Sequence, residues 1–377
     1  MQIVSFGVAA LYSGIWCLRW ARAGELEGAW HWGQLGLLSS MVCVGSVAGT
    51  VAWAAFMRNH DFSYEANVAA LPKQNTLYAS SSRFLAVFNI LYGVEFLCLI
   101  ICKLMLLGRL AANAAQSSQV EGTEMSGIRR RWLSARALPN VYRVMAGAVV
   151  VGSVAGMVAD FVAGAYKAQV AGLYDAAAFA CDATNSSLAD EINAIKTKAD
   201  TSASVEAGIE ALTLLLVSIA FFVIVSWSVA LFRMIERVGA RALVSASDGG
   251  IIKPSEANVA RIVEDAMQAA VDQRRRLTAS CVIVLITFPA RAAFNLLHAY
   301  AYFNDPFNLA CGPCDSCQST TYLIRTWLDL TPEFRPIIVA LSSPLPLTLS
   351  LWLLTKAVAR ARLIAANVEQ ACAGDGL

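Results

Sequence analysis

Runs of about 20 mostly apolar residues, the length a helix needs to cross the hydrocarbon of a bilayer, occur seven times in this chain. They fall at about 2–18, 33–57, 84–108, 141–166, 206–232, 278–303 and 335–357. A bilayer holds no water to satisfy backbone N–H and C=O groups, so runs of this kind must close their hydrogen bonds within themselves. The fold class this dictates is all-α: a multi-pass membrane bundle of seven transmembrane helices forming one domain over residues 1–377. Composition points the same way, with 57% hydrophobic and 15% charged residues, against about 25% charged in an ordinary soluble domain. Mean hydropathy is +0.56. A soluble enzyme is excluded, and so is disorder, which needs the opposite balance. A net charge of +2, with no basic block interleaved with aromatics, excludes a nucleic-acid partner. The first run lacks a basic leading region, and Ala21-Arg22-Ala23 after it resembles a signal-peptidase site. We read that run as a retained helix.

Orientation follows from the excess of Lys and Arg in cytoplasmic loops. Nineteen of the 29 basic residues lie in the loops after the first, third and fifth runs and in the tail, and eight lie on the other side; Lys103 and Arg291 are within runs. This sets the N-terminus outside and the C-terminus in the cytoplasm. Two observations independent of that count agree with it. The N-x-[ST] sequon Asn185-Ser186-Ser187, expected to be glycosylated, falls in an outer loop. Cys181, Cys311, Cys314 and Cys317 all lie in outer loops, and the cytoplasmic loops hold no cysteine.

Between the runs, residues 234–276 form a cytoplasmic helical loop. After a break at Gly249-Gly250, the spacing of Val259, Ile262, Val263, Met267 and Val271 predicts a helix over 258–276 with one apolar face. Residues 358–377 form a cytoplasmic amphipathic tail, ending near Cys372, which is read as a free thiol. One short repeat occurs: Val44-Gly45-Ser46-Val47-Ala48-Gly49 returns as Val151-Gly152-Ser153-Val154-Ala155-Gly156. Because the flanking sequence does not align, Gly45, Gly49, Gly152 and Gly156 read as close-packing faces, not as a duplication.

Few residues carry chemistry. Cys311-Gly312-Pro313-Cys314 has the spacing of a redox pair but lacks the preceding Trp and the βαβ surroundings of a thioredoxin-like site. With Cys181 and Cys317 it reads as two structural disulfides, the alternative being a metal or redox site; four thiols allow three pairings. Charges inside spans are costly and therefore informative. Glu95 and Arg291 lie midway along the third and sixth runs, and Asp160 nearer the outer end of the fourth. They point either to a polar cavity for a ligand or ion, or to an interhelical pair that fixes packing. Glu206 and Glu210, at the outer end of the fifth run, are expected to be wetted. Pro344 and Pro346 each remove a backbone donor from the last run, so a kink, hinge or cavity wall is expected there. The three histidines, His31, His60 and His298, are scattered, and no hydrolase, metalloprotease or phosphate-loop motif is present. Neither a catalytic centre, a metal nor a cofactor is expected. Lys356 stands at the cytoplasmic end of the last run, where a retinal-bound lysine would be deeper.

Seven helices with an external N-terminus, outer-loop cysteines, a kinked last span and a short amphipathic tail resemble the plan of a G-protein-coupled receptor. The third run nevertheless ends Lys103-Leu104-Met105-Leu106-Leu107-Gly108-Arg109, without that class's acidic-Arg-aromatic triplet, and the last has no Asn-Pro-x-x-Tyr. Trp30-His31-Trp32-Gly33-Gln34, Thr278-Ala279-Ser280-Cys281 followed by Arg291, and Leu345-Pro346-Leu347 leading to Leu353-Leu354-Thr355-Lys356 make the chain similar to the plant tobamovirus-multiplication family of seven-helix membrane proteins over three spans. The charged, cysteine-rich outer loops depart from that family. The resemblance implies a non-enzymatic membrane protein whose cytoplasmic face recruits other proteins.

The function expected is therefore receptor-like or partner-recruiting. A cytoplasmic protein would dock at Arg274, Arg275, Arg276 and the tail, membrane lipids would surround the bundle, and a homo-oligomer is allowed. An oligomeric channel or transporter with a polar path near Glu95 and Arg291 is the first alternative, and a structural protein assembling laterally through its glycine faces is the second. Disulfides and a sequon place the chain on the secretory route, with the plasma membrane favoured over endomembranes.

Overall fold

A computed structural model describes residues 15, 30–71, 73–119, 137–179, 186–247, 254–303, 324 and 339. Among these residues there is no strand, and five long helices account for nearly all of them: α1 Trp30–Val68, α2 Lys73–Gln119, α3 Ala137–Phe179, α4 Ser186–Ser247 and α5 Pro254–Phe303. The chain is thus all-helical, and all five are long and apolar enough to cross a membrane, over Gly36–Val68, Lys73–Gly108, Asn140–Phe179, Ser187–Trp227 and Arg274–Ala301. The first and seventh expected spans, at 2–18 and 335–357, lie almost wholly outside the described residues.

The helices run further than the apolar runs. At 1.5 Å per residue the 62 residues of α4 extend about 93 Å, roughly three times the hydrocarbon thickness. Sequence explains the continuation: from Ser186 to Ser247 there is no proline, and the two glycines are isolated, so nothing stops hydrogen bonding from propagating past the apolar stretch. Similarly, the cytoplasmic helix expected over 258–276 is the leading half of α5, which starts on Pro254, a residue suited to the first helical position. The glycine break at 249–250 is outside the described residues.

The first compact unit comprises Met1–Met105, Ala146–Val217 and Thr287–Leu345. Within it α1 and α2 form an antiparallel pair. Ser81 Oγ donates to Asn59 Oδ1 at 2.7 Å near their connection, and Cys102 Sγ approaches the Leu38 carbonyl at 3.6 Å toward the opposite end. Their core is aromatic: Trp53 meets Phe56, Phe88 and Tyr92 edge-on, with centroids 5.5, 5.2 and 6.1 Å apart. Helix α3 packs on α2 and α4. Lys167 Nζ pairs with Asp200 Oδ1 at 2.7 Å, Ser202 Oγ donates to the Ala159 carbonyl at 2.9 Å, and Arg83 ion-pairs with Asp175 at an exposed position worth little. Hydroxyls inside the apolar stretches bond their own helix, as Thr50 does to the Ser46 carbonyl and Ser153 to that of Val149. The second unit comprises Leu106–Met145, Ser218–Ile286 and Pro346–Leu377, and there the Tyr142 ring fills the space that a side chain at Gly108 would need.

Valine spaced by seven residues faces outward on α3, with Val144, Val151 and Val158 exposed by 74, 70 and 51%. Only 22% of that helix's apolar window is buried, against 56% for α2 and α4. In water such a face is a liability; against lipid tails it costs nothing.

The expected glycine faces are used within the chain. A Cβ on Gly45 would lie 3.0 Å from Cys98 Cβ on α2, and one on Gly152 2.8 Å from Thr213 Oγ1 on α4; Gly156 has ordinary contact with Ile209, and Gly49 is buried. Gly93 and Gly164, which sequence reading did not single out, bring α2 and α3 together. A Cβ on Gly164 would sit 2.9 Å from Ile90 and 3.1 Å from the Ala86 carbonyl, a backbone atom that cannot step aside. Gly164→Val is accordingly expected to destabilise the folded protein by about 1–3 kcal/mol, read as an earlier loss of monodisperse protein on heating in detergent. At Gly172, where nothing lies within 4 Å, the same substitution is the control.

Candidate functional site

Four titratable side chains and a tyrosine meet in the first unit, drawn from three helices. On α5, Arg291 ion-pairs through Nη2 with Glu210 Oε1 of α4, and the same nitrogen donates a 2.8 Å hydrogen bond to the Tyr92 hydroxyl of α2. That hydroxyl donates to Glu210 Oε2 at 2.8 Å, which closes the ring. Each of the three residues is only 1% exposed. The guanidinium also lies 5.8 Å from the ring centroids of both Tyr92 and Phe96, so it is held over two aromatic faces one turn apart on α2.

Glu95 shares that face of α2, as residues three and four apart do. It is fully buried, and neither carboxyl oxygen has a hydrogen-bond partner among the described residues. The Trp53 indole of α1 lies beside it without reaching hydrogen-bond geometry, and Arg291, Glu210 and Lys103 are its charged neighbours. Lys103, also 1% exposed, holds its ammonium 4.1 Å from the centroid of the Phe288 ring. Asp160, Glu206 and His298 are buried as well, at 3, 3 and 9%, with Asp160 packed on the backbone gap at Gly93.

Of the expected site residues, Glu95 and Arg291 do enter one network, but the contact partner of Arg291 is Glu210. The expectation that Glu206 and Glu210 are wetted is corrected: they are 3 and 1% exposed, because α4 begins at Ser186 and sets both glutamates deep in a continuous helix instead of at its mouth. Tyr92 and Trp53 carry no signal of this role in the sequence, and Lys103 is marked there only as a charge within an apolar run. Pro289, two residues before Arg291 and inside α5, also escaped notice, although a proline within an apolar run is a visible signal. Arg275 is exposed and Arg274 and Arg276 are half-buried on α5. Cys181, Cys311, Cys314, Cys317, Asn185, Pro344, Pro346 and the tail lie outside the described residues.

The arrangement binds helices together. Ion pairs taken out of water stabilise little in net terms, yet removing one partner strands the other at high cost. Such a cluster therefore enforces one arrangement of α2, α4 and α5 and responds sharply to any change in its charge. Among the described residues no group of three or more His, Cys, Asp or Glu side chains is placed to hold a metal ion. No protein-family model, curated protein or solved structure matches the chain.

Proposed function

We propose that the chain is a non-enzymatic, receptor-like or partner-recruiting membrane protein of seven spans, with its N-terminus outside and its C-terminus in the cytoplasm. The observation that carries this reading is the closed Glu210–Arg291–Tyr92 ring. It ties together α4 and α5, the two helices that continue as helix well past their apolar stretches toward the connection at 248–253. A ligand or ion that breaks the ring changes how those two helices are held, and their extensions, with Arg274, Arg275, Arg276 and the tail, offer the surface a cytoplasmic partner would read. Outer-loop disulfides among Cys181, Cys311, Cys314 and Cys317, glycosylation at Asn185, a hinge at Pro344 and Pro346, and residence in the plasma membrane complete the reading. Kinship with the tobamovirus-multiplication family is part of the same proposal.

The buried acids also favour a second reading, an oligomeric channel or transporter with a polar path past Glu95 and Arg291. Native mass spectrometry of the particle extracted in mild detergent separates the two. A monomer or dimer is the expected result, together with a cytoplasmic protein that is captured by the full chain and lost from the Arg274→Glu, Arg275→Glu, Arg276→Glu variant. A closed ring of three or more copies overturns reception and makes a pore the better account.

A further inference from the structure

Among the described residues the buried carboxyl groups of the first unit are Glu95, Asp160, Glu206 and Glu210, and the buried Lys and Arg side chains are Lys103 and Arg291. A carboxylate that neither pairs with a cation nor accepts a hydrogen bond is too costly to keep in an apolar interior, and taking up a proton is the simplest way to neutralise it.

Geometry selects which carboxyl is in that position. Glu210 is committed to Arg291 and accepts from Tyr92. Asp160 and Glu206 each engage further groups. Glu95 is fully buried, and neither of its oxygens accepts a hydrogen bond among the described residues. The groups that face it are the Trp53 indole from α1, Lys103 from its own helix, Glu210 from α4 and Arg291 from α5. Asp160 on α3 faces the same helix two residues away, at Gly93.

We propose that Glu95 is the seat of an exchangeable proton, so that the ligand read by this network is the proton itself. On release the carboxyl O–H bond breaks heterolytically, the proton passes to water, and the carboxylate left behind becomes a second anion within the field of Arg291. No electron moves and no co-reactant is needed. The inference rests on the membrane-bundle reading above only for the apolar surroundings of the site.

The test is infrared difference spectroscopy of the full chain in phosphatidylcholine vesicles, stepped between acidic and alkaline buffer. The expected result is a protonated-carboxyl C=O band that disappears on the alkaline step, is lost in Glu95→Gln, and persists in Asp160→Asn and Glu206→Gln. Glu95→Asp keeps a carboxyl in place and should shift the band's frequency, which covers the case in which the Gln variant does not fold. A band unchanged in both Glu95 variants, or no pH-dependent band in the parent protein, overturns the proposal. Because the measurement uses neither a partner nor an oligomeric state, its failure leaves the receptor reading standing, and the reverse holds equally.

Discussion

Arg291→Leu is expected to destabilise the protein by about 3–5 kcal/mol, enough to remove most folded material from a detergent extract. The reason is the group left behind. Glu210 is 1% exposed and receives both the guanidinium and the Tyr92 hydroxyl, so deleting the cation leaves a carboxylate in an apolar interior with only the Tyr92 hydroxyl to compensate it. Glu210→Met should fail for the mirror reason, since it leaves Arg291 buried with its contact anion gone. The double variant Glu210→Met/Arg291→Leu is expected to recover most of the loss, because replacing a whole buried pair with apolar groups is close to neutral. Thermal unfolding of the four proteins forms a double-mutant cycle, and a near-neutral double variant makes the coupling energy approach the sum of the two single losses, above the usual range of about 0.5–3 kcal/mol for neighbouring residues. If the two losses simply add, the ring does not act as a unit and the packing account of Arg291 fails. A double variant that folds yet transmits nothing to its cytoplasmic face would show that the ring is needed for signalling over and above assembly.

The five long apolar helices were legible because they depend on run length and polarity, which the sequence displays directly. Glu95 and Arg291 were legible for the same reason: a charge inside an apolar run stands out. What pairs with Arg291 was not, since Glu210 sits at the edge of its apolar run and only the backward extension of α4 to Ser186 reveals its depth. That extension follows from the absence of helix breakers in 186–205, a weaker signal than hydropathy because those residues are polar. The glycine faces were half readable. Gly45 and Gly152 announced themselves through a repeated motif, whereas Gly93 and Gly164 act alone and acquire meaning only when a neighbouring helix arrives. Tyr92 and Trp53 were hidden by abundance, for an aromatic in an apolar helix carries no mark of the polar group it will meet.

Trp53→Ala is expected to cost about 3 kcal/mol, the lower end of the range for truncating a buried tryptophan or phenylalanine. Trp53 is 1% exposed and touches the rings of Phe56, Phe88 and Tyr92. In a water-soluble protein the loss would combine a transfer term with a cavity term, but lipid is as apolar as the core, so only the lost contacts and the cavity remain here. Trp53→Phe separates packing from polarity. It keeps an aromatic edge against Phe88 and Tyr92 and removes the indole N–H beside Glu95. If packing is the residue's main role, the Phe variant should stay within about 1.5 kcal/mol of the parent in thermal unfolding. A Phe variant as damaged as the Ala variant would instead assign the stabilisation to the indole dipole next to a buried carboxyl, and would tie the aromatic core of α1 and α2 to the charge state of Glu95.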